Sequence, residues 1–243
     1  MHENEDVFKL HGVALRSGSY SWGPDFVYGG IDGAITTFAV VAGVEGASLS
    51  IPVILILGFA NLFADGFSMA VGKYLSDKSS QELYEKIKKI EYEHLKVKTV
   101  HEKEEVKEIM RSYGFKGKDL DRAVSVITSN EDVWVDLMMR NEFNLTNENV
   151  DPVKGGVTTF ISFLLIGIIP LLGYLLRPIF ELSQKNTFFV TIFMTLIALF
   201  IVGAVKSKFS IRHWFFSGLQ TVLIGGAAAG IAYFVGYFLK DLV

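Results

Sequence analysis

Asp32 is the only charged residue in an otherwise apolar window from Phe26 to Val44. In a lipid-spanning helix a carboxylate costs about 2.5 to 3.5 kcal/mol, so unless it snorkels to the interface it marks an ion or substrate pathway. A second polar row follows in the next apolar stretch, where Asn61, Asp65 and Met69 recur every four residues and share one helix face. Carboxylate oxygens with a thioether beside them suit a divalent transition metal better than a sugar or an organic anion. Met69 by itself reads as a packing residue, and only its place in the row makes it a ligand candidate.

Three more sets of donors lie in the charged middle of the chain. Glu91-x-x-His94 and Glu102-x-x-Glu105 are i,i+3 pairs, each able to point two ligands off one helix face. A turn between them, near Thr99, would bring the pairs together. The competing readings are concrete: Glu102 as the reciprocal member of a Thr99-x-x-Glu102 capping box, and Glu91 as half of a solvated charge run. Met138-Met139-x-x-Glu142 is the third set, with the methionines readable as ligands or as core. Oxygen, nitrogen and thioether donors on three helices would suit iron(II) or a similar ion.

These donors need elements to hold them, and the distribution of charge supplies the outline. Gly46–Ala64, Gly155–Leu176, Asn186–Val205 and Trp214–Leu239 carry no charge, although the chain of 243 residues has 23 Lys and Arg and 26 Asp and Glu. With the Asp32 window, these are five segments of the length that crosses a hydrocarbon core of roughly 30 Å. An all-α integral membrane protein is therefore expected. Residues 1–75 form the N-terminal segment and transmembrane helices 1 and 2, residues 76–150 a helical insert, and residues 151–243 helices 3 to 5.

The insert holds 13 basic and 16 acidic residues and no long apolar window. Its helices are predicted near 80–97, 100–113, 117–129 and 131–143, from capping-box patterns at Ser79-x-x-Glu82 and Thr99-x-x-Glu102, a start at Ser129-x-x-Asp132 and a stop at Tyr113-Gly114. Pro170 is predicted to kink the third crossing. Gly29-x-x-x-Gly33 and Gly226-x-x-x-Gly230 predict close helix packing, with a contact between two protomers as one form of it.

The link between crossings four and five carries Lys206, Lys208 and Arg212, on the same side as the insert, whereas the first link has only Glu45. Insert and N-terminus are accordingly expected to be cytoplasmic and Val243 outside, with Arg177 and Lys185 in an outer link as the opposing signal. Residues 1–25, with Glu3, Glu5 and Asp6, do not resemble a signal peptide. The absence of cysteine excludes disulfides, zinc ribbons and thiol chemistry, so metal must be bound by carboxylates, His and Met. A net charge of −3 argues against nucleic acid as a partner.

The stretches Asp25–Gly43 (DFVYGGIDGAITTFAVVAG), Gly58–Leu75 (GFANLFADGFSMAVGKYL) and Trp134–Glu142 (WVDLMMRNE) resemble the vacuolar iron transporter family of iron and manganese carriers. The resemblance covers nearly the whole chain. It implies a homodimer of five-helix protomers, with a cytoplasmic metal-binding insert between helices two and three, that exchanges a divalent metal for protons along a path between protomers. By position, the family's helix-one aspartate falls on Asp32 and its helix-two methionine on Met69. Its insert ligands fall on Glu91, Glu102, Glu105, Met138, Met139 and Glu142.

Two departures stand out. His94 occupies the place of a fourth insert glutamate, and Asn61 that of the helix-two glutamate, while Asp65 appears one turn later where a small residue is expected.

The resulting expectation is a proton-coupled exporter of iron(II) or manganese(II) from the cytoplasm, with cobalt(II) and zinc(II) as further candidate ions and no prosthetic group. The compact chain points to a prokaryotic plasma membrane, with a vacuolar membrane expected for a eukaryote. A membrane-tethered, ferritin-like iron-binding protein or ferroxidase is the alternative, disfavoured because a di-iron bundle wants two Glu-x-x-His motifs plus two further glutamates. A metal sensor is disfavoured by the intramembrane carboxylates.

Overall fold

The computed structural model describes residues 21–146 and 150–242, and among them every regular element is helical. In chain order these are α1 (Trp22–Gly46), α2 (Ile51–Val97), α3 (Thr99–Ser112), α4 (Gly117–Ile127), α5 (Glu131–Asn141), α6 (Pro152–Gly167), α7 (Ile169–Phe180), α8 (Gln184–Lys206) and α9 (Trp214–Leu239). Short 3₁₀ turns follow α8 at Ser207–Phe209 and α9 at Lys240–Leu242. The chain divides into two compact units, one of residues 1–75 and 151–243 and one of residues 76–150. The polar lead up to residue 20 and Val243 lie outside the described residues.

Among the described residues, five helical stretches are long and apolar enough to cross a membrane: Trp22–Gly46, the apolar part of Ile51–Val97, Pro152–Phe180, Gln184–Phe209 and Trp214–Leu242. The third is broken as expected. Pro170 has no N–H to give the Ile166 carbonyl, so α6 ends at Gly167 and α7 begins at Ile169, with Leu171 and Leu172 turning their N–H groups to the Ile168 carbonyl at 2.9 and 3.1 Å. Asp151 caps α6 by accepting from the Lys154 N–H at 3.0 Å, ahead of Pro152 in the first turn.

Within the membrane unit α1 is the central helix, packed against α6, α8 and α9. Its glycines make this approach close. A Cβ on Gly33 would stand 2.5 Å from the Phe163 carbonyl oxygen, and one on Gly29 would meet the Thr159 carbonyl and the Ser162 hydroxyl. The Gly29/Gly33 pattern is therefore filled by α6 of the same chain, which corrects the expectation of a contact between protomers there. Among the described residues, nothing lies within 4 Å of the Cβ positions of Gly226 and Gly230. Gly33→Ala forces backbone against backbone and should lower stability by about 1–3 kcal/mol, read as an earlier thermal unfolding transition in detergent; a variant as stable as wild type would contradict this packing.

In the second unit the end of α2 and helices α3 to α5 enclose a core that includes Leu95, Val106, Met110, Trp134, Met138 and Met139. Two helix starts differ from the predicted ones. No start occurs at Ser79: α2 runs on without a break, and the Ser80 hydroxyl donates to the Ser76 carbonyl four residues back. The cap of α5 is Asn130 rather than Ser129, its Oδ1 accepting from the N–H groups of Asp132 and Val133 at 3.0 and 3.2 Å, an arrangement worth about 1 kcal/mol. The stop at Tyr113-Gly114 is present, with Gly114 at φ +97, where a residue lacking Cβ is favoured.

Candidate metal centre

The insert site is built by the turn between α2 and α3. Lys98 N–H bonds to the His94 carbonyl at 2.7 Å, and the Lys98 carbonyl accepts from His101 and Glu102 at 2.9 and 3.2 Å. The Thr99 hydroxyl donates backwards to the Leu95 carbonyl, so it does not cap the Glu102 N–H and the capping-box reading of Glu102 is overturned. The Glu102 carboxylate turns instead to His94, whose Nδ1 lies 3.5 Å from Glu102 Oε1 and 3.7 Å from Glu91 Oε1.

The Glu91 and Glu102 side chains are only 2% and 3% exposed, which excludes a solvated charge run for Glu91. One donor atom from each of Glu91, His94 and Glu102 lies within 4.8 Å of the others, a separation that a bound cation would tighten by a small movement. Among the described residues, Glu91 Oε2 is buried without a hydrogen-bond partner, so its lone pairs are available to a ligand.

The electrostatics agree with the geometry. Burial, then the charges of Glu142 and Glu105, push the Glu91 carboxyl up to about 6. Burial, a hydrogen bond shared with Glu105 and that residue's charge push Glu102 up to about 7. Glu142 is raised by burial and by Glu105, against a lowering influence from His94 and His101. Glu105 and Glu142 thus belong to the same acidic cluster as Glu91 and Glu102, although Glu142 lies on its exposed rim.

Met138 and Met139 are fully buried in the apolar core, packed with residues of the two helices that carry the cluster. His101 was not among the sequence candidates. Its Nε2 stands 3.3 Å from Glu105 Oε1, and the i,i+4 spacing was the available signal.

In the membrane unit Asp32 and Asp65 are both half-buried and close enough for their charges to repel. Asp32 borders a cavity of about 490 Å³ walled by Val27, Tyr28, Ile31 and Phe209, with Lys206 at its edge. Met69 packs against the apolar cluster around Leu62 and Phe163. One turn from Asp65, the Asn61 Nδ2 is buried and has no hydrogen-bond partner among the described residues. Lys73 of α2 pairs with Asp25 of α1 at 3.3 Å, a contact between two helices that no spacing within either one signals.

The sequence model of the VIT family matches residues 24–237, from the start of α1 into the last crossing. A protein named vacuolar iron transporter 1 from Oryza sativa subsp. japonica is 33% identical over 212 residues, covering 86% of this chain and 82% of that protein. A vacuolar iron transporter from Centaurea cyanus is 35% identical over 210 residues (86% and 84%), and one from Plasmodium falciparum (isolate 3D7) is 33% identical over 221 residues (88% and 81%). These relatives are named as transporters and not as enzymes. With the family pattern running through all five crossings and four-fifths or more of each chain aligned, the chain belongs to the VIT family.

Proposed function

We propose that this protein moves a divalent metal ion, iron(II) first and manganese(II) second, out of the cytoplasm in exchange for protons. The observation that carries the reading is the pair of intramembrane carboxylates, Asp32 and Asp65, set within reach of each other's charge. Two like charges in low dielectric are stabilised together by a cation or by protons. Metal and proton therefore compete for one place, and competition is the coupling. In the insert, Glu91, His94 and Glu102, with Glu105 and Glu142 beside them, capture the ion, while Met138 and Met139 shape the core behind these helices and meet a softer ion if the core opens.

Two copies of the chain form the working unit, with the path between them and the insert in the cytoplasm; the family resemblance supports this part. The names of the relatives support iron as cargo and favour the vacuolar membrane over the plasma membrane. The ferroxidase reading has no second Glu-x-x-His motif to support it.

Initial rates of iron(II), manganese(II), cobalt(II) and zinc(II) uptake into proteoliposomes test the proposal; iron(II) should be carried fastest, and no uptake of any of the four would sink it. Asp65 is proposed to replace the carboxylate that the family places at Asn61. Asp65→Asn should then cut iron flux by about tenfold or more, and adding Asn61→Asp should restore part of it. Undiminished flux in Asp65→Asn would refute the substitution.

A further inference from the structure

The Asp25–Lys73 ion pair stands on the same helix faces as the proposed path. On α1, Asp25 precedes Asp32 by seven residues, two turns along one face, and on α2 Lys73 continues the Asn61, Asp65, Met69 row by one more step of four. At 1.5 Å per residue the pair lies about 10 Å along α1 from Asp32 and about 12 Å along α2 from Asp65. It sits where the second crossing is about to leave the membrane unit at Leu75. Its side chains are 21% (Lys73) and 13% (Asp25) exposed, so the charges are largely shielded from water.

We propose that Lys73 is a tethered counter-cation: seated on Asp25, it occupies the cation position at the mouth of the path and holds α1 to α2, and a divalent ion is admitted by displacing it. The proposal rests on the reading of Asp32 and Asp65 as pathway residues. Its physics is that of a buried carboxylate, which is unfavourable without a positive partner. A cation beside Asp25 is therefore favoured, and a dication arriving at the mouth competes with the ammonium for that place. A dication at the same distance is attracted twice as strongly as an ammonium, and the flexible lysine stem lets the displaced charge swing to water.

Iron(II) uptake by proteoliposomes carrying wild type, Lys73→Gln, Lys73→Arg, Asp25→Asn or Asp32→Asn decides between a latch and a plain structural tie. A latch requires the two partners to act in opposite directions. Lys73→Gln should lower the half-saturating iron concentration about fivefold, the strength of one competing ion pair. Asp25→Asn should raise it, and Lys73→Arg should bring it back toward the wild-type value. Should the glutamine variant not fold, Lys73→Met, with a side chain suited to lipid, reads the same quantity.

A structural tie moves both partners together, with lower thermal stability and no gain in affinity for Lys73→Gln. That result, alongside wild-type uptake that vanishes in Asp32→Asn, overturns the latch and leaves the pathway standing. Absence of any Asp32-dependent uptake overturns the pathway reading, and the latch with it.

Discussion

Asp32→Asn is expected to reduce iron(II) uptake about a hundredfold or more while the protein still folds and still binds metal in its insert. The size follows from what the side chain does: loss even of a group that only orients a metal ligand costs roughly ten- to a hundredfold. Asparagine keeps the shape and one oxygen but removes the charge that a dication replaces and the site a proton would occupy. Asp65 then stands without the second carboxylate beside it. Flux and metal binding should therefore separate. Equilibrium binding by the Glu91, His94 and Glu102 cluster, which belongs to the other compact unit, should persist. Undiminished flux would remove Asp32 from the path.

The metal-free insert should lose stability as pH rises from about 4.5 to about 7, and bound metal should reverse the trend. Glu91 and Glu102 carry folded-state values of about 6 and about 7 against an ordinary 4.5. Across that window the folded insert keeps protons that the unfolded chain has released, so stability falls with rising pH. The contribution is fully present below 4.5 and is lost as pH passes the folded values. A dication binds the deprotonated carboxylates, so its affinity must rise over the same interval, with protons released on binding. Affinity at pH 7.5 should exceed that at pH 5.5 by about ten- to a hundredfold.

Hydrogen exchange of residues 76–150 in the full chain reads the stability, and metal titration reads the affinity. In Glu102→Gln both pH dependences should shrink. Exchange protection that increases with pH in the metal-free protein would contradict the raised values of Glu91 and Glu102.

The crossings were legible because lipid forbids what water allows: a charge-free window of that length is seldom anything but a membrane span, and Pro170 can break a helix in only one way. Local start signals were less secure. Ser79-x-x-Glu82 has capping-box spacing, yet the same residues sit comfortably inside a helix whose Ser80 hydroxyl bonds back to a carbonyl. Glu102 was ambiguous for a related reason, since three-residue spacing serves a cap and a ligand pair equally well. Only the turn at Lys98, with Thr99 bonded backwards to Leu95, separates them.

Spacing announces close approach at Gly29 and Gly33, but not that α6 is what approaches. Asp25 and Lys73 pair across two helices, and their meeting depends on a register that neither helix encodes alone. Met138 and Met139 show the limit of residue type as a clue, because a thioether suits a soft ion and an apolar core alike, and both side chains lie in the core.

The exchange of metal for protons proposed at Asp32 and Asp65 is open to direct measurement. It is tested most directly in proteoliposomes that hold a pH dye, with an acidic lumen and iron(II) added on the side exposing the insert. Iron should then enter faster than without the gradient, the lumen should become less acidic as it does so, and Asp32→Asn should abolish both signals. Iron uptake by the wild type that is indifferent to the pH gradient and moves no protons would contradict it.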